Sequence, residues 1–154
     1  MQPLPPTYIV RHRKENLKKC SLRGLESRSD FRFFSYPRPE LPDLTGYILL
    51  AVEAPPLTIE DTSRGLFLLD ATWRYAAKML EDVGTLPGLE QRSIPPGFVT
   101  AYPRRQDDCP DPERGLASIE ALYIAYHVLG RDTTGLLDDY YWRELFLERN
   151  HHLW

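Results

Sequence analysis

Asp70 and Trp73 are the residues whose types and spacing most directly suggest chemistry. The apolar run Gly65-Leu66-Phe67-Leu68-Leu69 ends in the Asp70 carboxylate, and Ala71, Thr72 and the Trp73 indole follow. A carboxylate within hydrogen-bond reach takes a proton from a nucleophile or orients it, and an indole face takes an apolar or cationic group. The run does not alternate, which predicts a strand buried on both faces of a mostly parallel sheet. From Thr72 the period changes, with Trp73, Ala76, Ala77 and Leu80 at helical spacing and Thr72 in the N-cap position. Ligands in open α/β sheets bind outside the strands' carboxyl ends, so this junction borders the expected crevice. An Asp there also serves as a turn or capping residue, and a Trp in a first helical turn as core; both readings stay open.

Other chemistries lack their residues. Neither a G-x-x-x-x-G-K-[ST] phosphate loop nor a G-x-G-x-x-G fingerprint occurs, which counts against a nucleoside triphosphatase and a Rossmann dehydrogenase. The two cysteines, Cys20 and Cys109, form no C-x-x-C pair, and His151-His152 reads as a solvated chain end, so no metal site is expected. No apolar run approaches the roughly 20 residues that span a bilayer, and the first residues lack a basic region followed by an apolar one, so the expectation is a soluble, cytoplasmic protein with no membrane partner.

The 154 residues, 42% hydrophobic and 27% charged, fit one globular domain with a substantial core. The net charge of -3 hides an asymmetry: up to Arg38 nine Lys or Arg face three acids, a net of +6, and the remainder nets -9. That distribution suits either a basic edge tracking phosphates or a solvated basic helix with internal acidic partners.

The elements that must position the junction alternate. Thr7-Val10, Phe31-Phe34, Gly46-Val52, 65–69 and Phe98-Tyr102 read as strands. Residues 14–25 read as a basic helix ending near Gly24. Leu57-Ser63 reads as a short helix opened by Thr58 and Asp61. The Gly/Pro-dense residues 84–97 and the acidic residues 106–114 read as loops, and the latter as a connector or a cover over a ligand. Apolar positions 116, 119, 122, 123, 126 and 129 mark a helix face closed by Gly130. A last helix is expected from Thr134 to Asn150, with its tyrosines and Trp142 against the sheet or, alternatively, stacking on RNA bases. The class is α/β.

Four segments, taken in order, resemble a known family. Asp70-Ala71-Thr72-Trp73 and Leu116-Ala117-Ser118-Ile119-Glu120-Ala121 resemble the paired signature of the DTW-domain superfamily, Asp-x-(Ser/Thr)-Trp followed by Leu-Ser-(Thr/Ser)-x-Glu-Ala. Lys18-Lys19-Cys20-Ser21 and Phe98-Val99-Thr100-Ala101-Tyr102-Pro103 resemble the Lys-Lys-Cys-(Ser/Thr) segment and the Leu-Val-Ala-Ala-Asn-Pro loop of its small-subunit rRNA aminocarboxypropyltransferase branch. The resemblance covers most of residues 8–147. Tyr102 stands where the branch usually has Asn, and Ala117 where Ser is common.

This resemblance implies a SPOUT-like sheet with helices on both faces and a C-terminal trefoil knot. It also implies S-adenosylmethionine as cofactor and transfer of its 3-amino-3-carboxypropyl group to a uridine-type base in RNA, within ribosome biogenesis. Residues 1–154 would form one domain, with a basic part at 1–45 and a cofactor-binding part at 46–154. Ser21, Leu69, Trp73, Ile94, Arg114 and Ser118 carry over as cofactor-binding positions, and Asp70 as the catalytic group, either base or orienting residue. Arg11, Arg13, Lys18, Lys19, Arg104 and Arg105 are the RNA-phosphate candidates. The other readings are a SPOUT-type RNA methyltransferase, a tRNA-uridine aminocarboxypropyltransferase and a non-catalytic ribosome-assembly module.

Overall fold

The computed structural model describes residues 4–14, 21–37, 40–71, 73–102 and 116–154, with residues 73 and 74 described at the backbone. Five strands, β1 (Thr7–His12), β2 (Phe31–Tyr36), β3 (Tyr47–Leu50), β4 (Gly65–Asp70) and β5 (Leu89–Arg92), form one sheet in the order β2-β1-β4-β3-β5. Every pairing is parallel. Three α-helices, α1 (Trp73–Val83), α2 (Ser118–Val128) and α3 (Arg143–Arg149), are found among the described residues. None is long and apolar enough to cross a membrane.

The strand period of two sorts the core into two layers. Ile9, Phe31, Ile48, Leu66 and Leu68 point to one face and pack with Ile119, Leu122 and Tyr126 of α2 and Phe146 of α3. Tyr8, Val10, Tyr36, Tyr47, Leu49 and Phe67 point to the other, where Met79 and Val83 of α1 cover them. Central β4 is buried on both sides, the condition its unbroken apolar run anticipates. Gly65 sits opposite Tyr47 in register, and a Cβ there would lie 2.4 Å from the Tyr47 ring. Glycine lets that ring lie across β4 and stack on Tyr8, with centroids 4.5 Å apart.

β1 and β2 run two residues beyond their expected ends, to His12 and Tyr36, and β4 closes on Asp70. Residues 57–63 hold a 3-10 turn, Ile59–Asp61, capped by Thr58 and Asp61. α2 spans Ser118–Val128, with Gly130 at φ 70° beyond it.

Four expectations are corrected. Residues 84–97 are not all loop: β5 pairs with β3 as an edge strand, and its Glu-Gln-Arg sequence lacks the apolar signal because only its backbone is called upon. Phe98-Tyr102 is not a strand; side chains from distant elements hold its backbone in place of a ladder. The helix expected over 134–150 shrinks to α3. Residues 134–139 form successive turns around Gly135, and these still bury Leu136 and Leu137, so turns reproduce the apolar spacing of a helix. In the 14–25 segment, residues 21–24 are turns that lead through Gly24, at φ 96°, into the 3-10 turn Leu25–Ser27, so no helix ends there. Residues 15–20, the Thr72 cap and the 106–114 loop lie outside the described residues.

Candidate active site at the carboxyl ends of the strands

Because β1 lies beside β4, Arg11 and Asp70 become register partners at the carboxyl end of the sheet. Both side chains point to the α2 face, as their parity with Ile9 and Leu68 requires. Arg11 Nε donates to Asp70 Oδ2 over 3.0 Å, with the two side chains 12% and 5% exposed. The guanidinium lies 4.6 Å from the Phe33 ring centroid and 4.0 Å from Glu26. The second carboxylate oxygen, Oδ1, accepts the Ser118 hydroxyl at 3.1 Å.

Ser118 opens α2, and the amide of the next residue, Ile119, donates to Ser21 Oγ at 3.2 Å. Two hydroxyls and the positive end of an eleven-residue helix thus converge beside Asp70. Such a helix end favours negative charge, and Asp70 lies beside it.

The fully buried Glu120 organises the wall behind this helix start. Its Oε1 accepts the Ala117 amide at 2.8 Å and the Thr100 hydroxyl at 2.6 Å. Its Oε2 accepts the Ala101 amide at 2.8 Å and the Tyr140 hydroxyl at 3.0 Å. The other end of the 98–102 segment is clamped by the fully buried Asn150, whose side chain accepts from the Val99 amide and donates to the Val99 carbonyl at 2.8 and 2.9 Å. Arg149 adds a 2.7 Å bond to the Thr100 carbonyl. A segment without secondary structure is therefore held at both ends.

On the opposite face of the same strand ends, His12 lies flat against Tyr75 of α1, with centroids 4.0 Å apart and planes 13° apart. Tyr36 flanks the imidazole from the other side at 5.5 Å. The Lys14 amide donates to His12 Nδ1 at 3.1 Å, which puts the neutral ring's proton on Nε2. Burial pushes the His12 pKa down, and Arg13 and Lys14 push it the same way.

Of the residues singled out from sequence, Ser21, Asp70, Ser118 and Arg11 are brought together. Arg11 stands inside the cluster, largely buried against Asp70, and not on an open phosphate-facing surface. Leu69 pairs with Val10 and packs on the α1 face. Ile94 follows β5, half-buried against the α2-side core, where the 51–57 turn laces to Ser93 through backbone bonds. Trp73 begins α1. Arg13 is exposed. Lys18, Lys19, Arg104, Arg105 and Arg114 lie outside the described residues. Tyr140, Asn150, Arg149 and His12 were not anticipated: their partners are brought near only by folding, and no local pattern marks them.

A parallel five-stranded sheet covered by helices on both faces, with polar groups gathered at its carboxyl ends, defines an open α/β protein, a class in which ligands bind outside those strand ends. Among solved structures the chain is similar to the SAM-dependent rRNA:acp-transferase Tsr3 from Vulcanisaeta distributa. The identity is 23% and the TM-score 0.75, over 98% of this chain and 81% of that one. The likeness shows a shared fold. No protein-family model matches the chain, and no curated protein matches it in sequence.

Proposed function

We propose that the protein transfers the 3-amino-3-carboxypropyl group of S-adenosylmethionine to a uridine-type base of small-subunit rRNA, in the cytoplasm. Residues 1–154 would act as one catalytic domain of SPOUT-like fold with a C-terminal trefoil knot. The observation that carries this reading is Asp70, held between Arg11 and Ser118 at a strand's carboxyl end beside Ser21 and the start of α2. The fold shared with the Vulcanisaeta transferase and the motif resemblance support the same reading.

The Ser21 hydroxyl, which accepts from the Ile119 amide and keeps its own proton to donate, suits an amino-acid carboxylate, and the half-buried Ile94 offers an apolar wall; Ser118 would join Ser21 by turning from Asp70. Leu69, Trp73 and Arg114 complete the proposed cofactor set, an indole being a group that suits a cationic portion. When bound, the cofactor supplies a sulfonium with three carbons open to attack, so selectivity is a matter of which carbon is held in line.

This chain's own part is positioning and a proton. Asp70 takes, or orients for removal, the proton of the uridine nitrogen as the new nitrogen–carbon bond forms and the carbon–sulfur bond breaks. Arg11 and Ser118 hold that carboxylate in one orientation. Arg13, Lys18, Lys19, Arg104 and Arg105 contact RNA phosphates.

Incubating protein and rRNA with cofactor labelled either on the methyl or on the carboxypropyl carbons tests the proposal. Carboxypropyl label should enter RNA and methyl label should not. Methyl transfer alone would refute it in favour of a methyltransferase, and cofactor-independent RNA binding without any transfer would favour an assembly module.

A further inference from the structure

The α1 face of the strand ends carries a second constellation, of which the proposed function draws on Arg13 alone, as a phosphate contact. Tyr75 stands in the first turns of α1, half-buried, with its inner face against His12. His12 is 8% exposed and is sandwiched in turn by Tyr36, whose hydroxyl donates to Asp82 while Lys78 pairs with Asp82 at 3.0 Å. The three rings are therefore braced from behind, and Tyr75 is the member nearest solvent.

Just past the end of β1, Lys14 is exposed beside Tyr75 and Arg13 is exposed near His12, and neither forms an ion pair among the described residues. Arg11, Arg28, Arg64, Lys78 and Arg92, by contrast, all do. The Lys14 ammonium lies 5.8 Å from the Tyr75 centroid, at the limit of a cation–π contact, so it can turn to a phosphate without unpacking the ring.

We propose that Tyr75, backed by His12 and flanked by Arg13 and Lys14, is a subsite for a single-stranded nucleotide next to the modified one, the ring stacking on its base and the two cations taking its phosphates. The chemistry is that of single-strand RNA recognition, in which a base lies on an aromatic face and cations follow the backbone. The sheet geometry places it well. His12 follows Arg11 in β1, so its side chain occupies the other face of the strand that presents Arg11 to Asp70. A strand of RNA crossing the sheet's carboxyl edge would meet Asp70 on one side of β1 and Tyr75 on the other. The inference rests on the RNA-modifying reading above.

The test uses the full chain and a fluorescein-labelled single-stranded rRNA oligonucleotide containing the acceptor uridine. Anisotropy titrations across a salt series are read beside calorimetric titration of S-adenosylmethionine. Tyr75→Ala should weaken RNA binding roughly 5- to 100-fold with cofactor affinity unchanged, and Tyr75→Phe should restore it. Arg13→Ala with Lys14→Ala should lower the slope of log K against log salt by about 1.4. RNA binding by Tyr75→Ala at wild-type strength, or an unchanged slope in the double variant, overturns the subsite. The two readings separate: if wild type transfers carboxypropyl label while Tyr75→Ala binds RNA normally, only the subsite fails. If binding depends on Tyr75 but no label is transferred, the transferase reading fails and Tyr75 stands as a single-strand RNA contact without a modified neighbour.

Discussion

Arg11 and Asp70 face each other in the register of two strands 59 residues apart in sequence, and their side chains close the pair at 3.0 Å. A guanidinium and a carboxylate this shielded from water fix each other's direction. Removing either leaves the other buried beside an incomplete partner. Asp70→Asn should therefore cost about 2–4 kcal/mol in urea unfolding, the remaining Glu26 keeping the loss below that of a wholly isolated cation. The proposed aminocarboxypropyl transfer should fall at least about ten-fold in the same variant. Arg11→Lys should keep most of the stability but not the directed Nε–H bond that aims the carboxylate, so the proposed transfer should fall more than stability does. Transfer at the wild-type rate in both variants would remove Asp70 from the chemistry.

Glu120 accepts a backbone amide on each oxygen, Ala117 on one and Ala101 on the other. A glutamine must turn its NH2 group toward one of those amides whichever way it is placed. Glu120→Gln should thus cost about 2–4 kcal/mol by denaturant unfolding. Because the same carboxylate ties the 98–102 segment to the start of α2, calorimetry should also show weakened cofactor binding. A variant with lowered midpoint and wild-type cofactor affinity would separate the two consequences.

The legible parts of this chain are those in which one local property decides the structure. β4 announces itself because both its faces are buried, and α2 because apolar residues recur at helical intervals, although Glu120, Ile124 and Ala125, off the face of Ile119, Leu122 and Tyr126, are fully buried as well. β5 is hidden since an edge strand needs only a backbone partner, and 134–140 misleads since consecutive turns bury Leu136, Leu137 and Tyr140 at helical intervals. At the candidate site, Asp70, Ser21 and Ser118 are visible as motif positions. That Arg11 belongs with them depends on β1 inserting beside β4, and Tyr140 reaches Glu120 only through the packing of the carboxyl-terminal segment on α2.

Asn150 replaces a missing strand ladder for Val99. Its side chain accepts that residue's amide and donates to its carbonyl, and donates as well to Phe146 at the end of α3. Asn150→Ala removes both side-chain partners of the Val99 backbone, while the Phe146 carbonyl keeps the backbone amide of residue 150, at a cost of about 1–3 kcal/mol. Hydrogen exchange should localise the effect: the Val99 and Ala101 amides should exchange faster, while β1 and β4 keep their protection. Uniform acceleration across the sheet would show that Asn150 supports the whole fold and not this segment.

His12 gives acid stability a definite sign. Its folded pKa lies below the ordinary 6.5, first through burial and then through Arg13 and Lys14, so the unfolded chain binds the more protons between the folded value and 6.5. Stability therefore rises with pH across that window, is fully present above about 6.5, and is lost as pH falls through the folded pKa. The neighbouring Asp82 has its pKa held below 3.8 by the Tyr36 hydroxyl and then by Lys78, so it titrates beneath the window. His12→Phe keeps a flat ring against Tyr75 but removes the titrating nitrogen and the acceptor for the Lys14 amide. Urea midpoints measured at pH 7.5 and pH 5 should accordingly draw together in the variant, with some loss at pH 7.5 from the orphaned amide. The other histidines are common to both proteins and cancel in the comparison. An equal drop from pH 7.5 to pH 5 in wild type and His12→Phe would show that the stacked imidazole does not set the acid limb.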